Sequence, residues 1–151
     1  MANSKEEKKP AKKKKEKEPD ITFYLPELLE VPENGSPPYL KGYKCKKCGQ
    51  LGFPKVTPCP NCWGDEFEMK PLNRRGKLYS SAEIIVGQPG MEVPYMIGYV
   101  DLPENIRVFA QLEGDSGDFH CGDEMELTVG TIRLNRDGLP ITSYKFKRVS
   151  P

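Results

Sequence analysis

The chain has 151 residues, a formal net charge of +1 and 30% charged side chains. That length allows one or two small domains, and no apolar run approaches the ~18 residues of a membrane helix. Residues 1–20 hold eight lysines against five carboxylates, whereas the rest holds 15 basic and 17 acidic side chains. The body is therefore slightly acidic, a poor general grip for a nucleic-acid backbone.

Residues 1–19 are rich in lysine and glutamate, with no large apolar residue after Met1. They cannot bury enough surface to offset the entropy of ordering, so they are predicted to be a disordered tail. An electrostatic arm for an acidic partner or nucleic acid is the sharper reading, against which the interspersed glutamates count, and a helix anchored on a partner is a third. The stretch lacks the apolar core of a signal peptide, and a cytoplasmic location is expected.

Residues 20–38 are predicted to be an apolar helical segment and linker. Asp20 is a candidate cap for a short helix carrying Ile21, Phe23, Tyr24, Leu25, Leu28, Leu29 and Val31. Pro26 kinks that helix or delays its start. So apolar a segment must pack on the body or on another chain, which makes Phe23, Tyr24, Leu25, Leu28 and Leu29 candidate partner-binding residues. Glu33 to Pro38 reads as a turn.

Residues 39–70 are predicted to be a zinc ribbon. Cys45-x-x-Cys48 and Cys59-x-x-Cys62 stand ten residues apart, each beside a Gly or Pro turn. A two-residue gap lets one tight turn aim two sulfurs at the same ion, and two such turns complete a tetrahedral thiolate shell. Rubredoxin-type iron uses the same four ligands; disulfides and redox pairs are the other readings. A closed four-thiolate site has no open position for substrate, so the metal is expected to be structural. Tyr39–Lys44, Phe53–Val56 and Phe67–Met69 read as the ribbon's strands. Trp63 is expected to cover the small core rather than stack on a ligand.

Residues 71–151 read as a five-stranded OB-type barrel. The first strand opens at Gly76, with Leu78, Ser80, Ala82, Ile84 and Val86 on one face. Tyr95–Leu102 is the second. Ile106, Val108, Ala110 and Leu112 alternate with polar or outward residues in the third. Met125, Leu127 and Val129 begin the fourth, and Asn135–Gly138 turns into the fifth, marked by Tyr144 and Phe146. The whole chain is thus expected to be mainly β.

A catalytic set is hard to assemble. His120 is the only histidine, and Cys121 the only cysteine outside the ribbon. Neighbours on a strand face opposite ways, so they make a poor nucleophile–base pair. Cys121 is expected to be a small buried residue and His120 a surface one. Glu113, Asp115 and Asp118 read as a solvated turn without EF-hand spacing. Arg74, Arg75 and Lys77 cluster at the ribbon–barrel junction; either they are solvated or they contact a phosphate. For a single-strand nucleic-acid binder, the alternative function, the one suitable stretch is Tyr144-Lys145-Phe146-Lys147-Arg148.

The order of parts resembles the rubredoxin-like zinc-ribbon/OB-fold proteins that accompany thiolases in acyl-CoA metabolism. Cys45-x-x-Cys48-Gly49, Pro54-Lys55-x-x-x-Cys59-Pro60-x-Cys62, Arg75-Gly76-Lys77-Leu78-Tyr79-Ser80, Pro94–Val100 and Gly122-Asp123-Glu124-Met125 carry the resemblance, over roughly residues 20–149. It implies a non-catalytic subunit that carries Zn2+ and binds a thiolase-fold catalytic subunit in a hetero-oligomer. It also implies that this subunit helps frame the acyl-CoA entrance; on that reading Arg74, Arg75 and Lys77 become candidate contacts for coenzyme A phosphates. The nearest reaction it points to is the cleavage of 2-benzoylsuccinyl-CoA by coenzyme A to benzoyl-CoA and succinyl-CoA, in anaerobic toluene degradation. The lysine-rich tail and Trp63-Gly64 depart from the family pattern.

Overall fold

The structure is a computed structural model that describes residues 22–23 and 26–149. Ten strands and no helix occur among these residues: β1 (Thr22–Phe23), β2 (Leu29–Glu30), β3 (Tyr39–Cys45), β4 (Leu51–Gly52), β5 (Phe67–Pro71), β6 (Arg75–Ile84), β7 (Tyr95–Leu102), β8 (Ile106–Glu113), β9 (Glu124–Leu134) and β10 (Pro140–Arg148).

The helix expected within residues 20–31 is not found. Pro26–Leu28 form a turn, and β2 pairs antiparallel with β3, Leu29 opposite Leu40. Pro26 offers no N–H and disfavours a helical residue before it. The strand gains a ladder instead, with the Lys41 N–H donating to the Leu28 carbonyl at 2.8 Å. Ile21, Tyr24 and Leu25 lie outside the described residues.

β3 is the ribbon's central strand, pairing with β2, β4 and β5. The return strand is Leu51–Gly52, earlier than the expected Phe53–Val56. Pro54 cannot donate to a ladder, so pairing stops before it.

β6 to β10 close a barrel in the order β6–β7–β8–β10–β9, with β9 returning to β6. Neighbours are antiparallel except β8 and β10, which run parallel through Gln111–Glu113 and Lys145–Lys147. This is the five-stranded Greek-key closure expected of an OB fold. β1 adds to β10 in parallel, Thr22 opposite Ile141.

Period-two burial explains the barrel. Along β8, Ile106, Val108, Ala110 and Leu112 point inward and Arg107 and Phe109 outward. Phe146 is fully buried at the centre, worth about 1.5–3 kcal/mol relative to exposure. β6 departs from a single alternating face. A register shift between Leu78 and Ser80 puts Leu78 opposite buried Val100 but Ser80 opposite exposed Tyr99, so residues two apart lie on different faces, and Val86 lies out in solvent.

Leu40 of β3 and Leu72, just after β5, join the same buried cluster as the barrel residues. Ribbon and barrel therefore share one core. Arg74 fastens the seam. Its Nε donates to the Pro38 carbonyl at 2.8 Å and its Nη2 to the Leu127 carbonyl at 3.1 Å, while Nη1 meets Glu126 at 3.5 Å.

Candidate metal centre

Cys45 ends β3 and enters the first knuckle; Cys48 lies in the turn that follows, before β4. In that turn, the Gly49 N–H donates to the Cys45 carbonyl at 2.9 Å and the Cys45 N–H to the Gln50 carbonyl at 2.9 Å. The second knuckle repeats the pattern. The Trp63 N–H donates to the Cys59 carbonyl at 2.8 Å, and the Cys59 N–H to the Gly64 carbonyl at 2.8 Å. Gly49 and Trp63, each just after a knuckle's second cysteine, both have left-handed backbones, with φ of 78° and 63°.

These turns bring four sulfurs together. All lie within 4.8 Å of one another, with Cys45 Sγ 3.5 Å from Cys62 Sγ and Cys48 Sγ 3.7 Å from Cys59 Sγ. A tetrahedron with Zn–S bonds of ~2.3 Å has edges of about 3.8 Å, so the donor set fits zinc. The cysteines are free thiols, not disulfides. Gly64 packs closely against the cluster: a Cβ there would stand 3.3 Å from both Cys45 Sγ and Cys62 Sγ, tighter than an ordinary contact.

The environment favours thiolate unevenly. The Asn61 side chain and the Gln50 N–H lower Cys48 to about 6. The Cys48 N–H, and after it that of Lys47, lowers Cys45. The Gly64 N–H also lowers Cys62, but burial and the other three thiols push it up to about 12. Four thiols this close cannot all ionise at neutral pH alone. A bound dication removes that obstacle, and the four residues are then its complete shell. Zinc would supply cross-linking of the two knuckles and no open coordination position.

The other expected site residues are dispersed. Trp63 does not cover the ribbon core; it is 77% exposed, because its left-handed backbone turns the ring outward from the knuckle. Leu28 and Leu29 are buried within this chain. Arg74 cannot serve a phosphate without leaving its partners at the seam. Arg75 lies 3.9 Å from Glu126, and Lys77 is exposed. His120 is exposed as expected, its N–H donating to Asp123 at 2.8 Å. Cys121 is also exposed, against expectation, since Phe119 takes the interior position and the chain turns through Gly122 to β9.

The stretch Tyr144–Arg148 does not form an aromatic and basic face. Phe146 is in the core, and Tyr144 packs edge-on against Phe53 at 6.0 Å. A different aromatic face went unread in the sequence. Tyr99 and Phe109 pair at 5.3 Å outside β7 and β8, and the Arg107 guanidinium lies 3.4 Å over the Tyr79 ring. Arg107 is also bound to Asp101 at 2.7 and 3.1 Å, which holds the Asp101 carboxyl below its usual range. The signal was the outward half of the β8 alternation, and it became informative only once β7 lay beside it.

Comparison with known proteins followed the same division. The ChsH2 rubredoxin-like zinc ribbon domain matches residues 35–68, and the ChsH2 C-terminal OB-fold domain matches residues 69–130. The benzoylsuccinyl-CoA thiolase subunit BbsA of Thauera aromatica is 66% identical over 137 residues, covering 91% of this chain and 95% of that protein. BbsA of Geobacter metallireducens is 63% identical over 139 residues, covering 92% and 94%. Among solved structures, the Ltp2-ChsH2(DUF35) aldolase matches 71% of this chain and 84% of its own, with a TM-score of 0.58 and 22% identity, a likeness of fold.

Proposed function

The chain belongs to the ChsH2 family of rubredoxin-like zinc ribbons joined to OB folds, and from that premise we propose that it is a non-catalytic accessory subunit of a thiolase-type acyl-CoA enzyme. The observation that carries this reading is the near end-to-end similarity to two proteins named as benzoylsuccinyl-CoA thiolase subunits. The geometry supports it from the other side. The metal shell is filled by protein, and no nucleophile–base pair is assembled among the described residues.

In this reading zinc rigidifies the ribbon, and the shared core passes that rigidity to the barrel. The reaction served is cleavage of 2-benzoylsuccinyl-CoA by coenzyme A to benzoyl-CoA and succinyl-CoA. The catalytic partner supplies the nucleophile. This subunit frames the entrance and excludes water that would hydrolyse a thioester intermediate. Residues Phe23, Tyr24 and Leu25 are the proposed anchor, since Leu28 and Leu29 are turned inward.

The test is co-purification from native cells followed by reconstitution. A stoichiometric thiolase-fold protein, with thiolysis only when both chains are present, supports the proposal. Turnover by this chain alone, or nucleic acid in place of a thiolase, would sink it.

A further inference from the structure

Trp63 is a large aromatic with two unfavourable features. Its ring is 77% exposed, and its φ of 63° is one that only glycine adopts freely. Such features persist where they serve a function. The surrounding charge indicates which function. Between Asn34 and Gly64 there are five lysines and no carboxylate, whereas the rest of residues 21–151 holds ten basic and 17 acidic side chains. The zinc–thiolate cluster, at −2, offsets only part of that excess. Lys41 is paired with Glu30 at 2.9 Å, and Lys55 lies over the Tyr43 and Phe67 rings at 5.3 and 5.5 Å. Lys46 and Lys47, in the first knuckle, are exposed and pair with no carboxylate among the described residues. The Lys47 stem lies against Gly64, the residue after Trp63: a Cβ on Gly64 would be 3.3 Å from Lys47 Cβ. An exposed indole thus stands beside unpaired ammonium groups on a metal-stiffened tip.

We propose that the ribbon tip binds the nucleotide end of coenzyme A, with Trp63 stacking on adenine and Lys46 and Lys47 meeting its phosphates. The choice of coenzyme A among adenine nucleotides rests on the accessory-subunit reading; the site itself rests on the tip. The chemistry matches, because a purine face suits indole and phosphate oxygens suit ammonium donors. One indole and two free lysines fit one nucleotide. A polynucleotide needs a continued track of cations and rings, and beyond the tip the body is acidic. The tip also suits this ligand better than the junction, where Arg74 is already engaged.

Trp63 is the only tryptophan, so its fluorescence reports on the site directly. The zinc-loaded full chain is titrated with coenzyme A, adenosine 3′,5′-bisphosphate, pantetheine and a single-stranded oligonucleotide. Coenzyme A and the bisphosphate should quench Trp63 and pantetheine should not. The Lys46→Glu, Lys47→Glu double variant should bind the bisphosphate about tenfold more weakly at low salt. In the complex with the catalytic partner, Trp63→Gly should raise KM for coenzyme A about tenfold, well beyond any change in kcat. Glycine suits the backbone there, so misfolding does not confuse the result. Equal quenching by pantetheine, or tighter binding of the oligonucleotide than of coenzyme A, overturns the proposal. If the complex forms but KM is unmoved in both variants, the site fails while the accessory reading stands. If no thiolase-fold partner exists yet the bisphosphate still quenches, the reverse holds.

Discussion

Trp63 occupies in the second knuckle the place that Gly49 occupies in the first. Each donates its N–H to the carbonyl of the cysteine four residues earlier, and each has a left-handed backbone. The two turns are the same device, one built with glycine and one with an aromatic. Replacing Trp63 by Gly should therefore stabilise the zinc-loaded protein by about 0.5–1 kcal/mol, the relieved strain less the added chain entropy. Gly49→Ala should destabilise it by about 1 kcal/mol. Thermal melts of the two variants check this, and a lower melting temperature for Trp63→Gly would contradict it.

Removing a zinc ligand should unravel the ribbon first. In Cys59→Ser the metal content should fall, because the shell then has only three thiolates. Amide protection should drop in β3, β4 and β5 and persist longest in β7 and β8. Hydrogen exchange read against metal analysis tests the order. Loss of protection in the barrel before the ribbon would be the wrong outcome.

Leu40 belongs to the ribbon but is buried in the common core, 1% exposed. Leu40→Ala should lose about 2–5 kcal/mol and weaken zinc retention together. A single shared melting transition is expected. Two separate transitions would mean that the units are energetically independent.

Arg74 is a structural residue by its contacts. Arg74→Ala should lower stability by about 1–3 kcal/mol, since two carbonyls and Glu126 lose a charged partner. It should leave nucleotide quenching of Trp63 unchanged. A selective loss of quenching with intact stability would return the phosphate contact to the junction.

The Asp101–Arg107 pair gives a pH signature. Arg107 lowers the native Asp101 pKa below its unfolded value, so the pair's contribution is fully present above the ordinary aspartate range, about 4. It fades as pH falls through the lowered native value. The stability difference between the parent and Asp101→Asn should thus be constant from pH 6 to about 8 and shrink below about 4. A difference that grew on acidification would contradict the sign.

Much of the architecture was legible because it follows local rules. Two Cys-x-x-Cys pairs can converge on one ion, and the alternation from Ile106 to Leu112 can only be a half-buried strand. Asn135–Gly138 reads as a turn, and Asn135 Oδ1 does accept the N–H groups of Asp137 and Leu139, both at 2.9 Å. What escaped depends on partners distant in sequence. Leu28 and Leu29 sit in an apolar segment that reads as a helix, yet β3 lay ready to take the Leu28 carbonyl and to pair with Leu29. The shift at Leu78/Ser80 puts residues two apart on different faces, which no fixed period foresees. Arg74 looked like a free cation because its acceptors, Pro38 and Leu127, are 36 and 53 residues away. For Trp63, size argued for burial, whereas the turn's backbone decided exposure.

β10 pairs with β1, β8 and β9 and also supplies Phe146 to the core. It is translated after every strand it joins. On the ribosome, the four cysteines emerge well before the barrel can close, so metal capture precedes closure during synthesis. In that interval Leu40 and Leu72 face solvent on an otherwise finished ribbon. The nascent chain is therefore most open to chaperone binding or to aggregation between completion of the knuckles and arrival of the last barrel strand.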